Sequence, residues 1–288
     1  MSRTIVCGVD RSDGAEAVVD VANWLANRLA SRLALIHVVE ESRREADALV
    51  AFLRGRPGLE DLDDVRVLTG DPAKCLIQAA GRDSADLLVV GSRGRSSIRS
   101  AILGSVSRSL ATSAPCPVVI VPEGVDSPAG TGGDESIVCG VDGSEHAVAA
   151  ARLAAELAER MGIRLLVVHA LQDVRSFTSY PGARLTVPPL SGQPDARQRQ
   201  AEQIVETAID AAGATAAGVV EPGTPWEVLE SVADRETGRL LVVAARGQNA
   251  LRAALLGSVA IQLGATARRP LVVLPEPAEE TIRTRAAA

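Results

Sequence analysis

The chain has 288 residues, 47% hydrophobic and 23% charged, with 36 acidic against 30 basic side chains and a formal net charge of −6. That balance argues against duplex nucleic acid as the main partner, because such affinity rests on neutralising phosphates, and two Trp, two Phe and one Tyr leave few base-stacking platforms. No uninterrupted apolar stretch is long enough to span a bilayer and the amino terminus lacks a signal peptide's apolar centre, so a soluble, cytoplasmic chain with no membrane partner is expected.

The first run, Thr4-Ile-Val-Cys-Gly-Val-Asp10, is short, apolar and β-branched, as a strand buried on both faces would be. Val18, Ala22, Leu25 and Leu29 then form one stripe at helical spacing, the core positions of a first helix. A second strand runs from Leu33 to Val39, and the charge run from Glu40 to Glu45 reads as an exposed helix start. A third strand near Val65 to Leu68 leads through Gly70-Asp-Pro72 into another helix. Asp86 to Val90 is a fourth strand, ending at Gly91-Ser-Arg-Gly94; nine residues later Gly104-Ser105 opens a helix, with Ser105 near its first turn. Val118 to Val121 is the fifth strand.

The pattern is then written again. Ser136-Ile-Val-Cys-Gly-Val-Asp142 repeats strand one at an offset of 132 residues, and His169 repeats His37 at the same offset. Ala150, Ala154, Leu157 and Met161 match the first helical stripe, and Leu165 to Leu171 the second strand. In the last third the offset is 153: Gly223 answers Gly70, Pro225 answers Pro72, Pro270 answers Pro117 and Pro275 answers Pro122. The second copy therefore carries about 21 extra residues between His169 and Gly223, read as a loop before a helix at roughly 195–212. Its third and fifth strands are Ala217 to Val220 and Leu271 to Leu274, and its glycine loop is Ala244-Ala-Arg-Gly247, nine residues, then Gly257-Ser258.

Alternating strands and helices predict an α/β fold of two tandem doubly wound domains, each a five-stranded parallel sheet with helices on both faces. The expected boundaries are 1–123 for the first domain, 124–134 for a linker, 135–276 for the second domain and 277–288 for a polar tail. Strand, glycine loop and helix amino end follow in that order twice. Orphan N–H groups and the positive end of the helix dipole converge there, and glycines let the backbone approach an anion, so phosphate is the expected ligand. Turn-making alone would explain one such loop; the unchanged spacing, Arg93 and Arg246 at the same place, and a Ser after each last glycine favour phosphate. Ligands in open sheets bind outside the carboxyl ends of the strands, which gathers Asp10, Val38, Gly70 and the glycine loop on one rim, with Gly223 the counterpart of Gly70.

Gly-Val-Asp-Arg-Ser12 after strand one, a His at the end of strand two, Gly-Asp-Pro72 and Gly91-x2-Gly94-x9-Gly104-Ser105 together resemble the universal stress protein family, over nearly the whole chain as a tandem pair of domains. The resemblance implies the strand order 3-2-1-4-5 in each domain and, where the full glycine motif is present, ATP as ligand, with or without Mg²⁺. It implies that Gly8 and Asp10 meet the nucleoside, that Val38 lies in the adenine pocket, and that Gly91, Ser92, Arg93 and Gly94 surround ribose and phosphates. The amides of Gly104 and Ser105 would hold the phosphate tail, and Ser107 offers a hydroxyl. The corresponding second-domain residues are Gly140, Asp142, Ala170, Ala244, Arg246, Gly247, Gly257 and Ser258. Ala244 replaces Gly91 and Ala260 replaces Ser107, which leaves a weaker or an empty second site as open alternatives. Asp10 and Asp142 serve either a ribose hydroxyl or metal, or the backbone of the strand-to-helix turn. The resemblance also implies that strand five, Pro117 to Pro122 and Pro270 to Pro275, pairs the domains as a pseudo-dimer and contributes to a homo-oligomer.

There is no Gly-x4-Gly-Lys-Ser/Thr, Lys74 is the only lysine, and no nucleophile stands beside a base, so no catalytic residue is assigned and ATP hydrolysis is expected to be slow or absent. The expected function is nucleotide-dependent regulation in the stress response, ATP ordering the loop from Ser92 to Leu103 for an unidentified regulatory protein partner. The rivals are an oligomeric scaffold with one or both sites vestigial and a slow Mg²⁺-dependent ATPase. His37 and His169 read as packed strand-end side chains and His146 as a solvent-facing residue at a helix start. Cys7, Cys75, Cys116 and Cys139 include no C-x-x-C pair, so neither a metal site nor a disulfide is expected.

Overall fold

The computed structural model describes residues 3–12, 14–39, 64–94, 103–125, 134–171, 194–247 and 256–286. The charge run at 40–45, most of the linker, most of the loop between Gly94 and Gly104 and the insertion at 172–193 lie outside the described residues. In the first half the strands are β1 (Thr4–Gly8), β2 (Arg32–Val39), β3 (Val65–Thr69), β4 (Leu87–Gly91) and β5 (Val118–Val121), interleaved with α1 (Ala15–Arg28), α2 (Pro72–Arg82) and α3 (Ser105–Ser113). The second half supplies β6 (Ser136–Gly140), α4 (Glu145–Met161), β7 (Arg164–Leu171), α5 (Pro194–Ala212), β8 (Ala217–Pro222), α6 (Pro225–Arg235), β9 (Gly238–Ala244), α7 (Ser258–Thr266), β10 (Leu271–Leu274) and α8 (Glu276–Ala286).

Local chemistry accounts for the element ends. The Asp71 carboxylate accepts the Lys74 N–H at 2.9 Å and Pro72 takes the first turn of α2, where a missing N–H costs nothing. Ser144 caps α4 by accepting the Ala147 N–H at 3.1 Å, and the helix stops on Gly162 at φ +66°.

The strands form one ten-stranded sheet in the order β3-β2-β1-β4-β5-β10-β9-β6-β7-β8. Each half has the expected parallel order 3-2-1-4-5, and the halves join where β5 and β10 pair antiparallel, Val119 opposite Val272. The strand-five pairing therefore occurs inside the chain. Within this sheet β5 is bonded to β4 and β10, and β10 to β9 and β5, so both strand-five edges are used inside the chain. The outermost strands of the sheet are β3 and β8.

One apolar cluster runs along the α1 and α4 face from Ile5 to Ile282, and another along the α2, α3, α6 and α7 face. Both include residues of the two halves, so the domains share their cores. In the second cluster Leu103 rests on Gly264 of α7; a Cβ there would lie 3.1 Å from the Leu103 Cδ1. The buried Glu135 carboxylate bonds Arg28 of α1 and Arg239 of β9, and Asp86 lies 3.9 Å from Arg160 of α4 and 3.8 Å from Arg3. Arg160 also donates to the Leu29 carbonyl at 2.9 Å. Carboxylates taken out of water need such partners, and here the partners cross between the domains.

An expectation at the carboxyl end is corrected. Residues 277–286 are not a tail but the body of α8, with Ala278 and Ile282 buried one helical turn apart in the α4-face cluster. The charged residues between them hid that short stripe. His146, half-buried, also meets this helix, its Nδ1 2.8 Å from the Glu279 Oε1. All four cysteines are free; burial pushes the Cys139 thiol up to about 12 and the Cys7 thiol also upward.

Candidate functional site

A cleft of about 640 Å³ opens at the carboxyl ends of β1, β2 and β4, between the amino ends of α1, α2 and α3. Its size suits a small organic ligand. Gly8, Asp10, Val38, Gly91, Ser92, Arg93, Gly94, Gly104, Ser105 and Ser107 all line it. Gly70 does not: it makes the turn from β3 to α2 at φ +137°, its N–H on the Val39 carbonyl at 3.1 Å, and Gly223 repeats that turn at φ +146°. Sequence reasoning missed Ala15, Val18, Leu76, Val90 and Glu123, which also line the cleft. The four apolar ones sit among core positions, and nothing local in the sequence marks Glu123.

Asp10 follows β1, and its Oδ1 accepts the Ser12 N–H at 3.0 Å and the Ser12 hydroxyl at 2.5 Å. The turn reading of this Asp is thus realised, and the same bonds hold the carboxylate at the cleft wall. A Cβ on Gly94 would stand 2.9 Å from the Asp10 Oδ2, so any side chain there would make the strand-one carboxylate shift. The space at Gly247 beside Asp142 is tighter still. Gly104 carries its N–H onto the Ser92 carbonyl at 2.8 Å and starts α3, leaving the first-turn amides of that helix directed to the cleft. Ser107 donates to the Gly91 carbonyl at 2.6 Å, so its hydroxyl ties the loop to the helix. The loop arginine is paired as well: Arg93 Nη1 lies 2.5 Å from Glu123 Oε2. His37 is buried and donates from Nδ1 to the Val9 carbonyl at 2.7 Å, a packed strand-end role as expected.

The second copy repeats this geometry. Asp142 accepts the Ser144 N–H at 3.0 Å and its hydroxyl at 2.6 Å, His169 Nδ1 donates to the Val141 carbonyl at 2.8 Å, and Gly257 donates to the Ala245 carbonyl at 2.7 Å before Ser258 starts α7. Gly140 is packed as Gly8 is, Leu76 of α2 occupying the place of a Cβ at Gly8 and Leu229 of α6 at Gly140. Ala170 lies half-buried one residue before the end of β7, and Arg246 pairs with Glu276 at 2.6 Å. Ala244 fits by volume exchange. A Cβ on Gly91 would meet the Arg93 carbonyl oxygen and the Val18 side chain, each at 3.2 Å; the residue answering Val18 is the smaller Ala150, which relieves the side-chain contact, and Ala244 packs against the cluster that contains it.

Among the described residues no group of three or more His, Cys, Asp or Glu is placed to hold a metal ion, and no helix is long and apolar enough to cross a membrane. The model of the Universal stress protein family matches residues 1–122 and 135–275. A universal stress protein of Thermus aquaticus is 32% identical over 140 residues, 42% of this chain and 99% of that protein. One of Mycobacterium tuberculosis is 28% identical over 300 aligned positions, 93% of this chain and 96% of the relative. The crystal structure of a universal stress protein from Archaeoglobus fulgidus has a TM-score of 0.66 at 16% identity, covering 96% of this chain and 99% of that one, a likeness of fold.

Proposed function

From the premise that the chain belongs to the universal stress protein family, we propose that its first domain binds ATP and acts as a nucleotide-dependent regulator with slow or no hydrolysis. The observation that supports this reading is that one cleft is lined by both the Asp10 carboxylate and the first turn of α3 from Ser105 to Ser107, the Gly104 N–H being taken up by the Ser92 carbonyl. A carboxylate accepts from ribose hydroxyls, while helix-end amides donate to phosphate oxygens, so a nucleotide satisfies both walls. The apolar side chains of Val38, Leu76 and Val90 suit a base plane. Mg²⁺, if it accompanies the tail, would meet Asp10 and the ligand's own phosphates, and would neutralise tail charge.

The second domain repeats the bonds of Asp142 and Gly257, and the Ala244 exchange keeps its loop within packing limits, which supports a second, weaker site. A cytoplasmic location and a regulatory protein partner belong to the same reading. The scaffold alternative is favoured by the shared cores and the continuous sheet, which assemble the two domains without any ligand. Calorimetric titration of the purified chain with ATP and Mg²⁺, beside Gly104→Arg and Gly257→Arg, separates them. Two sites, one lost in each variant, make a tandem nucleotide sensor; no heat from the folded wild type leaves the scaffold.

A further inference from the structure

One ion pair is written twice. Arg93 meets Glu123 at 2.5 Å and Arg246 meets Glu276 at 2.6 Å. Each arginine sits inside a glycine loop, and each glutamate directly follows the proline that closes strand five, all at the offset of 153. Some single charges elsewhere are also kept, Arg28, Arg32 and Arg82 being answered by Arg160, Arg164 and Arg235, while others are not. Asp86 is answered by Arg239, and Arg3 by Glu135, so those positions have reversed sign. In each copy the pair ties the glycine loop to the residue that follows strand five.

The pair also has a definite place along the cleft. Glu123 and Arg93 line it together with Gly104 and Ser105, and the Arg93 Cα lies 3.5 Å from where a Gly104 Cβ would be. Val38 is on β2, three strands from β5, which at about 4.8 Å per strand is about 14 Å across the strand ends. A nucleotide with its base at β2 therefore runs its outer phosphates toward the Arg93–Glu123 pair. Among the described residues that line the cleft, Asp10 and Glu123 are acidic, Arg93 carries the guanidinium, and His37 is engaged with the Val9 carbonyl. A carboxylate at the tail end taxes each added phosphate charge, while its bond to Arg93 holds the guanidinium in line with the loop.

Resting on the nucleotide reading above, we propose that Glu123 and Glu276 are positioning residues that hold the loop arginines and limit how much phosphate charge each site accepts. The test is the double variant Glu123→Gln/Glu276→Gln, titrated with AMP and with ATP by calorimetry at low salt without Mg²⁺, so that the full tail charge is felt. The expected result is a shift of about tenfold in the ATP-to-AMP affinity ratio toward ATP, with AMP affinity nearly unchanged. The charge-preserving double variant Glu123→Asp/Glu276→Asp should keep the wild-type ratio. An unchanged ratio in the glutamine variant overturns the proposal, and so does an equal loss of both nucleotides, which would reduce the glutamates to buttresses. Wild-type protein that binds neither nucleotide overturns the nucleotide reading itself and this inference with it.

Discussion

Gly94→Ala tests the geometry at the cleft most directly, because the added carbon has one neighbour that must move. It would lie 2.9 Å from the Asp10 Oδ2, about half an ångström inside ordinary contact. The carboxylate can retreat only by straining its bonds to the Ser12 N–H at 3.0 Å and hydroxyl at 2.5 Å. A hydrogen bond to a charged group is worth about 1.5–3 kcal/mol, so giving one up to reach a ligand lowers affinity by roughly ten- to a hundredfold. Calorimetry with ATP measures that loss, and urea unfolding of the same sample reports whether the fold carries part of it. Gly247→Ala should cost its own site more, since the space beside Asp142 is tighter. A Gly94→Ala protein of wild-type stability that binds ATP within twofold of wild type would refute the argument that a side chain here displaces the carboxylate.

Three further outcomes are expected. Glu135→Ala leaves Arg28 and Arg239 facing a buried gap between the domains and should cost about 3 kcal/mol in urea unfolding, the low end for a broken buried pair because both arginines are a quarter exposed. Gly264→Val pushes against Leu103 at 3.1 and 3.3 Å and should lower stability by about 1–3 kcal/mol in thermal melts, with nucleotide affinity falling too because Leu103 immediately precedes Gly104. The Arg269 hydrogen bond holds the Asp234 carboxyl below its ordinary value of 3.8, so its stabilisation is present above that value and is lost as pH falls through the lowered one. Asp234→Asn should therefore flatten the acid limb of stability below about pH 4, by a small amount since Asp234 is 41% exposed.

Local order along the chain was enough for the architecture. Apolar β-branched runs, helical stripes, and glycine between a strand and a helix are patterns over a few residues, and their repetition at fixed offsets exposed the tandem plan and the place of the glycine loops, while the strand-five pairing and the individual nucleoside contacts were what the family resemblance implied. The chain alone did not show that Glu123 meets Arg93, 30 positions earlier, or that Glu135 bonds Arg28 across the domain boundary. Nor did it show that Ala278 and Ile282 dock α8 on α4, because two apolar residues among charges carry too little periodicity to separate a short helix from a tail. Ala244 shows the same division. As a sequence it is a lost glycine, and only packing reveals that Ala150, in place of Val18, leaves room for it. Secondary structure follows from neighbouring residues, whereas ion pairs and volume exchange join residues far apart in the chain, and only tertiary structure decides which of those meet.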